Sequence, residues 1–178
     1  IEIDSFPILH GNRQTPLAEH FSVAAGGAGD LLVLAGDCRA VHGIGSGLES
    51  GSIRVEGEAG RHCGAEMRGG SLEILGSAGD WLGAEMRGGE IRVHGNAGNG
   101  VGAAYRGSVR GMRGGEIFIH GSAGDELGRQ MRRGLIAVAQ TAGELAAYEM
   151  LAGTIVLGGS GPRPGSGMSF SNASRRSG

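Results

Sequence analysis

The chain has 178 residues, a formal charge of −2 and 39% hydrophobic residues, enough for one domain with a sizeable core and no electrostatic reason to expect nucleic acid. No apolar run approaches the roughly 18 residues of a membrane span, and the opening "IEIDSFPILHGN" lacks a basic, apolar signal region. The 39 glycines and four prolines make up about a quarter of the chain, a composition that signals low complexity unless the glycines keep a period.

In chain order, residues 1–30 read as an N-terminal cap segment. Within "TPLAEHF", Thr15 is placed as an N-cap and Pro16 at the first helical position, which predicts a short helix or turn over an open end. The absence of an initiating methionine suggests a trimmed start. Residues 31–168 carry the period. The first stretch, "LLVLAGDCRAVHGIGSGLESG" (31–51), is an imperfect copy two residues too long.

Five close copies follow, at 52–70, 71–89, 90–115, 116–134 and 135–153; four have nineteen residues and the third has seven more. Stacked, they share columns. The second residue is Ile53, Leu72, Ile91, Ile117 or Ile136, and the fourth is Val55, Ile74, Val93, Ile119 or Val138, the alternation of a strand with one buried face. The eighth is always alanine (Ala59, Ala78, Ala97, Ala123, Ala142) and the sixteenth always methionine (Met67, Met86, Met112, Met131, Met150). The twelfth is Cys63, Leu82, Val101, Leu127 or Ala146.

Apolar residues spaced by four also fit a helix face, but glycines recurring at the sixth, ninth, thirteenth and nineteenth places would each cost about 1 kcal/mol in a helix interior. In a coil that turns several times per lap the same glycines serve as corners. The sequence therefore predicts an all-β fold, a right-handed parallel β-helix with about 19 residues per turn, whose like residues stack about 4.8 Å apart. Hexapeptide left-handed helices need laps in multiples of six, and calcium-binding nonapeptides are absent. In a last, imperfect lap, "TIVLGGSGPRPGSGM" (154–168), the methionine comes one residue early, and 169–178 is expected to form a mobile tail.

Chemistry is sparse along this frame. Cys63 beside His62 invites a nucleophile reading, yet it shares a column with Leu82, Val101 and Leu127 and reads as an inert core thiol. Two cysteines make neither a metal pattern nor a disulfide scaffold, which suggests a reducing compartment and a cytoplasmic location. His94 and His120 share a column, either as two metal ligands or as a solvated pair; no third ligand stands with them. The methionines read as core rather than copper ligands. The turns "GSAGD" and "GNAGN" lack the lysine and helix of a phosphate loop. No catalytic constellation and no metal site are predicted.

Two features escape the period. One is an arginine column, Arg68, Arg87, Arg113 and Arg132, with Glu66 and Glu85 beside its first two members. It is either a solvated, salt-bridged face or a surface for an anionic partner. The other is the insertion "AYRGSVR" (104–110), in which Tyr105, Arg106 and Arg110 form either an interface anchor or a neutral loop extension.

The pattern "VxGxAGxxxGAxMRGGxIxVxG" resembles the glycine-rich β-helix of glutamate synthase large subunits and of the C-type subunit of formylmethanofuran dehydrogenase. The stretch "GNAGNGVGAAYRGSVRGMRGGEIFIHGSAGDELGRQMRRGLIAV", with "LHGNRQTPLAEHF" and "GIGSGL", is similar to the C-type subunit of the bacterial formyltransferase/hydrolase complex. That resemblance implies a non-catalytic scaffold in one-carbon metabolism, with formyltransferase and amidohydrolase-type subunits as partners. The complex would move a formyl group from a tetrahydromethanopterin carrier to a methanofuran-like coenzyme and hydrolyse it to formate. This chain itself would bind no cofactor, no nucleic acid and no membrane. Because such coenzymes carry glutamate chains, Arg68, Arg87, Tyr105, Arg106, Arg110, Arg113 and Arg132 become expected contacts for a partner subunit or a polyanionic tail. The competing reading is a glutamate-synthase-like structural domain, which shares the full laps but not the insertion.

Overall fold

A computed structural model describes residues 7–22, 29–159, 162, 164–166 and the backbone of 173–175. Met168 and most of the expected tail lie outside the described residues. Among the described residues no helix is long and apolar enough to cross a membrane.

The N-terminal segment is a hairpin. Strand β1 (Pro7–His10) pairs antiparallel with β2 (Arg13–Pro16), turning at Gly11 with φ +64°. A single 3-10 turn, Leu17–Glu19, follows. The expected helix cap at Thr15 does not form. Pro16, extended at φ −60° and ψ 144°, stands before the turn rather than inside it, and no side chain caps the turn. Thr15 lies in β2, and its hydroxyl is 3.0 Å from His20 Nε2. The physical reason is register: Pro16 sits opposite Pro7 at the end of the two-stranded ladder, where neither proline has an N–H to miss.

From Leu31 onward the chain winds as a solenoid. Strands β3 (Leu31–Leu34), β4 (Ser52–Val55), β5 (Ser71–Ile74), β6 (Glu90–Val93), β7 (Arg113–Ile119), β8 (Arg133–Val138), β9 (Thr154–Leu157) and β10 (Ala173–Arg175) form one parallel sheet in chain order. Register follows the period: Ile53 opposes Leu72, Leu72 opposes Ile91, Ile91 opposes Ile117, and Ile117 opposes Ile136. A second wall consists of single parallel bridges from Cys38 through Ala59, Ala78, Ala97 and Ala123 to Ala142. The third carries the methionine column, and Met67, Met86, Met112, Met131 and Met150 are all fully buried. The predicted solenoid and its columns therefore stand. Within the stretch assigned to the tail, Ala173–Arg175 adds a parallel strand beside β9.

The lap is narrow, and the thirteenth-place glycine explains how it closes. Gly83 has φ +59°, and a Cβ there would lie 2.6 Å from Ile117 Cδ1 and 3.2 Å from Ile91 Cδ1. Gly64, Gly102 and Gly128 face Ile91, Ile136 and Ile155 in the same way. The column ends in Ala147, and the residue in register with Ile155 on the next strand is Ala173. Glycine is thus required where an isoleucine from a later lap fills the space.

The eleventh and fifteenth places are also left-handed but point outward, and they hold full side chains: His62, Trp81, Glu126 and Leu145 in one column, Glu66, Glu85, Gln130 and Glu149 in the other, with φ between 52° and 64°. A bulky L-residue in this region is strained. The face carrying Trp81 is therefore held in that shape by the hydrogen bonds between laps, such as the Trp81 N–H donating to the Asn99 carbonyl at 2.7 Å.

Candidate partner-binding face

The insertion leaves the third copy after Ala103 and returns at Gly111. Its base is closed by backbone bonds: the Ala104 N–H donates to the Arg129 carbonyl at 3.1 Å, the Gly111 N–H to that of Gln130 at 3.0 Å, and the Met112 N–H to that of Gly102 at 2.8 Å. Inside the loop, the Ser108 N–H donates to the Tyr105 carbonyl at 3.0 Å, and Gly107 has φ +89°. A tight turn of that kind needs a positive φ at its third residue.

Tyr105, half-buried, folds back over earlier laps. Its hydroxyl is 3.0 Å from His62 Nδ1, and its ring centroid is 5.3 Å from that of Trp81 and 5.7 Å from that of His62. Its backbone N–H donates to Glu85 Oε1 at 3.2 Å. Trp81 finds room because the next residue in its column is Gly100, where a Cβ would stand 2.9 Å from Trp81 Cε3. Burial pushes the Tyr105 hydroxyl above its ordinary pKa, and Glu66 and Glu85 push it further. Burial also lowers His62, helped by His42 and Arg61. A neutral imidazole with its proton on Nε2 is then able to accept the tyrosine O–H at Nδ1.

The arginine column divides into two halves. Arg68 pairs with Glu49 at 2.8 Å, and Arg87 with Glu66 at 3.5 Å. The glutamates therefore act one lap from where the sequence put them, and Glu85 serves the insertion instead. Further along, Arg132 Nη2 donates to the Val109 carbonyl at 3.0 Å. Arg113 Nε is buried with no hydrogen-bond partner among the described residues. Among the described residues, none of the ion pairs involves Arg106, Arg110, Arg113, Arg132 or Arg133.

Arg133 escapes sequence reasoning. In the fourth copy "RRG" replaces "RGG", and a register shift in the sheet pairs Arg113 with Arg133. The structure thus gathers Arg110, Arg113, Arg132 and Arg133 around the returning end of the insertion. Arg68 and Arg87 lie on earlier laps and are already neutralised.

The remaining candidates fall outside this face. Cys63 is fully buried, its thiol 3.3 Å from the Gly60 carbonyl, and burial raises its pKa to about 11. Cys38 is also buried and raised. Native protein should therefore react with a thiol reagent at neutral pH only as it unfolds, and the two thiols should appear together in denaturant. The sign of the pH effect follows: the folded state holds the Cys63 proton more tightly, so this group's contribution to stability is present at neutral pH and lost between about pH 9 and 11. Fast labelling of folded protein by Ellman's reagent at pH 7 would contradict this placement. His94 and His120 meet edge to face at 4.9 Å, with Glu73 Oε1 3.0 Å from His94 Nε2. Among the described residues no three His, Cys, Asp or Glu side chains gather as a metal site.

Comparison with known proteins agrees with this architecture. Residues 32–173 match the profile of the family described as GXGXG motif. The C-type subunit of molybdenum-containing formylmethanofuran dehydrogenase 1 from Methanothermobacter thermautotrophicus is 43% identical over 64 residues, 35% of this chain and 16% of that protein. The counterparts from Methanothermobacter marburgensis and Methanothermobacter wolfeii match equally. Among solved structures, the crystal structure of the formyltransferase/hydrolase complex from Methylorubrum extorquens, in complex with methylofuran, contains a chain that superposes with a TM-score of 0.76 at 32% identity. That superposition covers 89% of this chain and 66% of the other.

Proposed function

The chain belongs to the GXGXG-motif family, and from that premise we propose that it is a scaffold subunit of a formyltransferase/hydrolase complex. The observation that carries the reading is the likeness, over 89% of this chain, to one chain of such a complex. The Methanothermobacter dehydrogenase subunits support the same one-carbon setting, although the match spans only 16% of their length.

In this reading the chain does no formyl chemistry. It holds formyltransferase and amidohydrolase-type subunits at a fixed separation, while a methanofuran-like coenzyme and tetrahydromethanopterin serve the complex through those partners. A solenoid suits that task, because each lap braces only its neighbours and the length sets the spacing. The unpaired arginines beside the insertion are the contact surface, for a partner subunit or for the anionic tail of the coenzyme. Two free, buried thiols fit a cytoplasmic location.

The test is native mass spectrometry of the tagged chain purified gently from its own cells. The expected result is a stable assembly with a formyltransferase and an amidohydrolase-like protein. A chain that repeatedly travels alone overturns the scaffold reading.

A further inference from the structure

One part of the insertion is absorbed neither by the solenoid nor by the arginine column. Val109 is 61% exposed, an apolar side chain on the returning limb of a charged loop. Leu31, Leu32 and Val33, also exposed, lie on the first strand of the sheet, where an end must be left uncovered. Val109 lies at no such end. Its position is built: Arg132 Nη2 donates to the Val109 carbonyl at 3.0 Å, the Arg110 N–H donates to Ser108 Oγ at 3.3 Å, and Tyr105 ties the start of the loop to His62, Trp81 and Glu85. An exposed loop fixed at this many points has already lost the freedom that binding would otherwise take from it.

We propose that Val109, flanked by Arg106 and Arg110, is a preformed plug that seats in an apolar hollow rimmed by carboxylates on a partner protein. The inference rests on the scaffold reading and names the surface through which a partner subunit docks. Two observations select the occupant. The flanking arginines have no ion-pair partner among the described residues, so the complementary rim is acidic. The exposed side chain between them is apolar, and a flexible polyanionic chain offers it nothing to desolvate against, whereas a folded protein surface does. The loop is therefore a protein contact, and any anionic tail is left to Arg113, Arg132 and Arg133.

The experiment compares the full chain with Val109→Asp, Val109→Leu and the pair Arg106→Ala plus Arg110→Ala, each co-purified with its partners and titrated against the isolated partner subunit. Because Val109 is exposed, each variant should melt as the wild type does. Val109→Asp is expected to weaken partner binding by about a hundredfold, and Val109→Leu by less than about threefold. The double alanine variant should lower affinity and flatten its dependence on salt. A Val109→Asp chain that retains the same partners with unchanged affinity overturns the plug while leaving the scaffold standing. A wild-type chain that brings down no partner overturns both. A short poly-glutamate peptide is the control ligand: if it competes with the partner subunit, and Arg106→Ala plus Arg110→Ala abolishes its binding, the loop reads an anion and the proposal fails.

Discussion

Replacing Gly89 by alanine should lower stability by about 3 kcal/mol or more, a large share of the roughly 5–15 kcal/mol that holds a domain of this size. Gly89 ends the second close copy with φ +88°, where an L side chain is strained by about 1 kcal/mol. A Cβ there would also stand 2.8 Å from the Gly69 carbonyl oxygen and 2.7 Å from Met67 Cε. The backbone clash cannot be relieved by a rotamer, because the Glu90 N–H of the same segment is bonded to the Gly70 carbonyl at 3.0 Å. Overpacking of this kind typically adds about 1–3 kcal/mol. Gly107→Ala separates the two effects: its φ is +89°, but among the described residues nothing lies within 4 Å of the added carbon, so only the conformational part, about 1 kcal/mol, should be lost. Urea unfolding followed by circular dichroism measures both. Equal midpoints for the two variants would mean that lap spacing does not constrain Gly89.

That contrast also marks what the sequence could reveal. A column is legible when the same physical demand recurs every lap. The buried methionines, the bridging alanines and the thirteenth-place glycines all repeat because each meets the same neighbours one lap on. Residues outside the period have no such neighbours to read. Nothing in "AYRGSVR" says that Tyr105 turns inward; that depends on Gly100 making room for Trp81 and on His62 lying two laps back. The signal is present only as an absence, since Gly100 is the glycine of a column otherwise filled by His62, Trp81, Glu126 and Leu145. Arg133 is hidden for the opposite reason. It replaces a glycine of "RGG", and a register shift, not the spacing, brings it beside Arg113. The hairpin at 7–16 is illegible because Thr-Pro before an acidic residue is also a helix signature, and only pairing with Pro7–His10 decides between them.

Charge reversal should then expose the division within the arginine column. The triple variant Arg106→Glu, Arg110→Glu and Arg113→Glu should lose partner association by about a hundredfold or more at low salt, since it turns three unpaired cations toward an acidic surface with the wrong sign. Arg68→Glu plus Arg87→Glu should behave differently. Those arginines are exposed and paired with Glu49 and Glu66, and such pairs contribute roughly 0–1 kcal/mol, so neither folding nor association should change by more than a few-fold. Arg113 needs its own control, because its Nε is buried without a partner among the described residues and glutamate there adds a desolvation penalty. Arg113→Met keeps the length and apolar stem, so a variant that folds normally yet still weakens association assigns the loss to charge. The decisive measurement is the salt dependence of affinity for the partner subunit. A slope that falls in the triple variant and stays unchanged in the Arg68 and Arg87 variant places the working charge beside the insertion. Equal slopes would return the whole column to an ordinary solvated face, with the lap geometry as the chain's sole contribution to the assembly.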